Sequence, residues 1–178
     1  MPFTPLHMGP GLAIKALAGH HFSVLAFGIA QVAMDIEPLI GLFRGSEVLH
    51  GTTHRYLASL GIAVVVAAIS PTICRPILRR WNRELSFLRL TWLAAPESFS
   101  AVSVIAGAFS GTISHVILDS AMHSDISPLA PWSNANTLQG LTSIEALHQF
   151  CIFSGLFGVA GWLFLGWYKQ RKGVDHEG

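Results

Sequence analysis

Ten carboxylates and nine histidines are few enough in 178 residues to be placed one by one. In Ser114-His115-Val116-Ile117-Leu118-Asp119 a histidine precedes an aspartate by four positions. At about 3.6 residues per turn the two side chains share one helix face. Neutral imidazole and carboxylate on one face are a ligand pair for a divalent ion. Alone, such a pair reads first as an imidazole–carboxylate hydrogen bond inside a packed interface. Other segments shift the reading. Asp35 and Glu37 stand in Met34-Asp35-Ile36-Glu37-Pro38, and His50 and His54 are four apart in His50-Gly51-Thr52-Thr53-His54-Arg55. His123 follows Asp119 by four, His148 opens a late apolar run, and His7 lies near the start.

These groups are set in a chain poor in charge. It is 51% hydrophobic and 12% charged, with mean hydropathy +0.50; soluble domains carry about 25% charged residues. Crossing a bilayer takes about 20 apolar residues as helix. Residues 22–40, 57–74, 99–122 and 147–168 supply four such runs. The expected fold is all-α: a polytopic membrane bundle of four full spans plus a short N-terminal helix, 8–18, that forms a hairpin with the first span. The first run should end near Asp35 to Pro38. Residues 1–172 read as one membrane-embedded domain and 173–178 as a frayed tail in which His176 is inert. The N-terminus lacks the basic region and cleavage site of a signal peptide.

The basic residues orient the spans. Arg75, Arg79, Arg80, Arg83 and Arg89 separate the second and third runs, and Lys169, Arg171 and Lys172 follow the last. Lys/Arg excess marks the cytoplasmic side, so residues 35–56 and 123–146, which hold only Arg44 and Arg55, face outward. Asp35, Glu37, His50, His54, His115, Asp119, His123 and His148 then share one level of a bacterial or archaeal cytoplasmic membrane; a hairpin would return His7 toward it, and charge alone allows a cytoplasmic N-terminus equally well. Asp costs about 2.5–3.5 kcal/mol at the centre of a span, which argues that these groups are paired, ligated or wet.

Other polar residues have plainer readings. His20 and His21 belong to the hairpin turn, with Lys15 snorkelling beside them. The stretch Arg79 to Trp92 is amphipathic and suits the anionic inner leaflet, or a cytoplasmic protein docked at Arg75–Arg89. Gly107 and Gly111, then Gly155, Gly158 and Gly161, allow helices to approach closely within one bundle. Cys74 and Cys151 fall near opposite faces and form no disulfide framework. A net charge of +1 gives no basis for a nucleic-acid partner.

In their order, His7, MDIEP, HGTTHRYLAS and GTISHVILDSAMHSDISPLAPW resemble the YdjM-like family of inner-membrane proteins, described as LexA-binding and as metal-dependent hydrolases. The resemblance covers residues 5–132. Its pattern has an N-terminal His, a PDIDH-like segment, an HRGxTHS segment and a GxxSHLxxDxxTPxGxxxxWP segment. Here Met34 replaces the proline, Glu37 stands for the second Asp, Gly51 replaces the arginine, Arg55 replaces a small residue, and Ser120 to Ser124 replace the TPxG turn. The ligand order is also similar to that of zinc-dependent phospholipase C enzymes. That likeness implies His7, Asp35, His54, His115 and Asp119 as metal ligands, with Asp119 able to bridge two ions.

The expected activity is metal-dependent hydrolysis of a phosphoester or ester in a lipid-like substrate, by metal-activated water. The ion is expected to be Zn, with Mn and Fe also compatible with mixed ligation. Asp35 or Glu37 would accept the water's proton, and His123 or His148 would protonate the leaving group. The alternative is a non-catalytic membrane adaptor that binds a cytoplasmic protein through its basic inner loop. A transporter would want such groups at every depth, and here they crowd one side.

Overall fold

The computed structural model describes residues 5–174. Five α-helices and no strand occur among them: α1 (Met8–Ala18), α2 (Val24–Arg44), α3 (Tyr56–Phe87), α4 (Ala101–Met122) and α5 (Ile144–Val174). Helices α2 to α5 are each long and apolar enough to cross a membrane. The protein is an integral membrane protein.

Packing follows the small residues. Ser23 caps α2 by accepting a hydrogen bond from Ala26 N–H (3.2 Å), and its own N–H donates to Ser103 O (3.0 Å) at the start of α4. The two helices therefore begin together and run parallel. Gly111 lets them nearly touch, since a Cβ there would lie 2.7 Å from the Ala30 methyl. Helix α3 returns antiparallel and closes a core around Ala30, Val66 and Ala108. Helix α1 lies along α5, where a Cβ on Gly9 or Gly158 would collide with the backbone of Cys151 or Leu12. The glycine spacing is thus used for packing inside the bundle. Half of the α4 apolar window is buried, against 11% for α5. Helix α4, which carries His115 and Asp119, is the centre of the molecule.

Helix boundaries differ from the sequence expectation at three places. Helix α2 does not stop near Asp35 to Pro38. Pro38 lies buried inside it, and the helix runs to Arg44, where Gly45 adopts the left-handed conformation (φ 66°) and its N–H reaches Gly41 O and Leu42 O. Proline removes one donor, and neighbouring packing can compensate for that in a membrane helix. Helix α3 passes Pro71 and Pro76 and continues to Phe87, because the arginines end the apolar run without ending the helix. The stretch Arg79 to Trp92 is therefore no separate amphipathic element. Its first part is the end of α3, and Trp92 sits in a turn against Gly166 of α5, 2.9 Å from the position of a Cβ there. Helix α5 includes Gly173 and Val174, while His176 lies outside the described residues. Cys74 and Cys151 are buried and free.

Candidate metal centre

Two helices, the loop before α3 and the turn before α1 deliver side chains to a single pocket. From α4 come His115 and Asp119, one turn apart and 0% and 3% exposed. From α2, one turn before the buried Pro38, comes Asp35. His54 (0% exposed) and His50 stand in the loop before α3, and His7 ends the turn that leads into α1. The ligating atoms of Asp35, His54, His115 and Asp119 all lie within 4.8 Å of one another.

The orientation of the imidazoles is more informative than their proximity. His115 Nε2 is 3.2 Å from Asp119 Oδ2 and 3.4 Å from Asp35 Oδ1. His54 Nε2 is 3.3 Å, and His50 Nε2 3.9 Å, from the same Asp119 oxygen. His7 Nε2 faces the other one, Asp119 Oδ1, at 3.6 Å. On His115, His54 and His50 the opposite ring nitrogen is held from behind. Gln31 donates its amide to Gly111 O (3.2 Å) and Ser114 Oγ (3.3 Å), which turns its carbonyl oxygen to His115 Nδ1 at 2.6 Å. An acceptor there requires a proton on Nδ1, so the neutral ring offers its lone pair at Nε2.

The same logic fixes His54. Its Nδ1 lies 3.1 Å from Thr53 Oγ1, and that hydroxyl donates to Glu37 Oε2, so it must accept from the ring. Glu37 also receives the N–H groups of Thr52 (2.9 Å) and Thr53 (2.7 Å). Gly51 permits this approach, because a Cβ would lie 2.8 Å from Glu37 Oε1. His50 Nδ1 is held by Asp125 at 3.0 Å. His115 and His54, each anchored at Nδ1, thus turn Nε2 toward Asp119, and His115 turns it toward Asp35 as well.

Acceptors facing acceptors in a dry pocket repel unless something positive lies between them. Consistent with this, the buried Nε2 atoms of His7, His54 and His115 have no hydrogen-bond partner, although an unsatisfied buried polar group costs about 1–3 kcal/mol. A divalent cation held by Asp35, His54, His115 and Asp119 would satisfy the Nε2 atoms of His54 and His115 together. Burial lowers the pKa of His7 to about 4, against the pull of Asp119, and also lowers that of His54. Both rings are therefore neutral near pH 7, the form that binds metal. The residues present fit a divalent ion.

A family model described as "Domain of unknown function (DUF4184)" matches residues 1–177. The chain belongs to this family. No curated protein and no solved structure matches it.

Of the five residues expected as ligands, this DUF4184 chain gathers Asp35, His54, His115 and Asp119 in one set, with His7 at the other oxygen of Asp119. Asp35 reaches the pocket, whereas Glu37 is turned to residues 52–53 and orients His54 through Thr53. His123 stacks on His50, with ring centroids 4.2 Å apart, one layer out from the four-residue set. His148 is half-buried on the first turn of α5 and lies outside both groups of convergent ligand atoms found among the described residues. His20 and His21 are exposed in the turn before α2, at the opposite end. Sequence reasoning missed Gln31, Thr53 and Asp125. The signal for Gln31 was available: it is the lone amide in an apolar helix, one turn before Asp35.

Proposed function

We propose that this chain is a membrane-bound metal-dependent hydrolase acting on a phosphoester or ester of a lipid-like substrate. The observation that carries the reading is the set of imidazole lone pairs aimed at Asp119 with their other nitrogens locked from behind. Such locking of both tautomer and ring angle is a feature of metal sites. Asp35, His54, His115 and Asp119 would hold the ion, with His7 and His50 flanking them. Zinc is the first choice for this donor set, and manganese or iron suits it as well. Such an ion, when bound, supplies Lewis acidity that polarises an ester or phosphoester oxygen and acidifies water. Asp35, which contacts one imidazole only, is the carboxylate best placed to accept a proton. His123, half-buried at the edge, is the group best placed to return one to a leaving oxygen as long as it holds no ion of its own.

The resemblance to the YdjM-like family supports the same chemistry. The lipid-like part of the reading has its own support. A cavity of about 740 Å³ runs between α2 and α3, walled by residues such as Ile36, Ile40, Ile62 and Val65, and it ends at Glu37 and Thr53 beside His54. An acyl chain laid there brings its polar end to the pocket. The arginines at the end of α3 and Lys169 and Arg171 on α5 lie at the opposite end, which supports an outward-facing pocket under the positive-inside rule.

The test is direct. Metal-loaded protein in mild detergent is incubated with a total bacterial lipid extract, and released head groups are followed by mass spectrometry. The wild type should release product that His115→Ala does not; identical profiles for the two would end the hydrolase proposal. Those arginines, exposed on the last turns of α3, keep the adaptor as the second reading. Charge reversal at Arg79, Arg80 and Arg83 that abolishes function, with Asp119→Ala tolerated, is the result that would favour it.

A further inference from the structure

The geometry points to a second cation site, distinct from the first and nearer to water, formed by His50, His123 and Asp125. The ligating atoms of these three residues lie within 4.8 Å of one another, and none belongs to the inner set of Asp35, His54, His115 and Asp119. The Asp125 side chain is 29% exposed, against 4% for that of Asp119, so the trio stands at the mouth of the pocket.

The site is built rather than incidental. Asp125 Oδ2 accepts the backbone N–H groups of Leu49 (3.2 Å) and His50 (3.1 Å), which fixes the carboxylate and leaves Oδ1 turned to the His50 ring at 3.0 Å. Asn136 clamps the chain leading into it by donating to Ser120 O (2.8 Å) and His123 O (3.1 Å), while Ile126, 1% exposed, anchors the far side. His123 lies over His50, with an interplanar angle of 26°. Two imidazoles and one carboxylate are a donor set for Zn, Mn or Fe, and three protein ligands leave coordination positions for water or substrate.

His50 links this trio to the first site, because its Nε2 lies 3.9 Å from Asp119 Oδ2. Two cations on either side of that link would form a paired centre, an arrangement suited to clamping both the attacking and the leaving oxygen in phosphoryl transfer. If the hydrolase reading holds, this favours a phosphoester over a carboxylic ester. The metal-binding claim itself does not depend on that reading.

The full chain, purified without a histidine tag and stripped of metal, is titrated with Zn²⁺ alone, and bound zinc is counted by equilibrium dialysis with elemental analysis. The wild type should bind two ions per chain. His123→Gln and Asp125→Ala should each bind one. Asp35→Asn should lose the inner ion and keep the outer. Because Asp125→Ala also removes the loop latch, His123→Gln, which leaves the Asp125–His50 contact in place, is the deciding variant, with helical circular dichroism as the folding control. A wild type that binds one ion, retained by His123→Gln, would overturn the proposal and leave Asp125 as a loop latch. Two ions unaffected by either outer variant would overturn it as well. One ion lost in His123→Gln but kept in Asp35→Asn would uphold the outer site and reject the inner one.

Discussion

Replacing Gln31 by methionine isolates one element of the argument. The side chain is 5% exposed and touches no proposed ligand atom of the pocket. Its contact is with the back of His115, at 2.6 Å from Nδ1. Methionine keeps the length and removes the acceptor. Without metal, His115 can move its proton to Nε2 and face the carboxylates of Asp35 and Asp119, so the apo protein loses little. With metal on Nε2 the proton must sit on Nδ1, now buried without a partner. That penalty is about 1–3 kcal/mol and falls on the bound state alone. At about 1.4 kcal/mol per decade, zinc affinity should weaken by about 5- to 140-fold. Loss of an outer hydrogen bond to a ligating histidine independently suggests about 10- to 100-fold. Competition against a chromophoric chelator reads the affinity. An unchanged affinity, with helical content and elution volume intact, would refute the claim that Gln31 sets the tautomer of His115.

Thr53→Val should weaken zinc binding by about 10- to 100-fold, whereas Thr53→Ser, which keeps the hydroxyl between Glu37 and His54, should bind as the wild type does in the same competition assay. Gly111→Leu forces a side chain into the α2–α4 contact, where even a Cβ would come within 2.7 Å of Ala30; overpacking of this kind costs about 1–3 kcal/mol, read as a lowered apparent Tm with and without metal. Saturating zinc at about 100 times its Kd should stabilise the wild type by about 2.7 kcal/mol, seen as a raised Tm that a chelator reverses and that Asp119→Ala lacks. An impermeant thiol reagent applied to intact cells should label a cysteine placed at Asn134 and spare one placed at Arg83; the reverse pattern would invert the assigned orientation.

The sequence carried the membrane spans and the principal convergence for the same reason. Polar groups are costly in apolar helices, so those that persist stand out, and a spacing of four converts directly into a shared face. His115 with Asp119 needed only helix geometry, and His54 and Asp35 followed once charge had put their segments at one level. The positioning residues were harder to read. Thr53 is an ordinary loop residue until Glu37 is seen to curl back onto it across Gly51, and Asp125 gains meaning only when the 49–50 backbone lies against it. Helix ends failed for a related reason. Pro38 and the arginines after Cys74 are local stop signals, but the preferences they express amount to a few kcal/mol and were outweighed by tertiary packing.

The most direct test of the central claim is X-ray absorption at the metal edge on protein purified without chelator or histidine tag. Stoichiometric metal is expected, with a nitrogen/oxygen shell near 2.0–2.1 Å for zinc and imidazole outer-shell scattering, both diminished in His115→Ala and Asp119→Ala. Protein that holds no metal even after loading, or a spectrum without imidazole scattering, would contradict it.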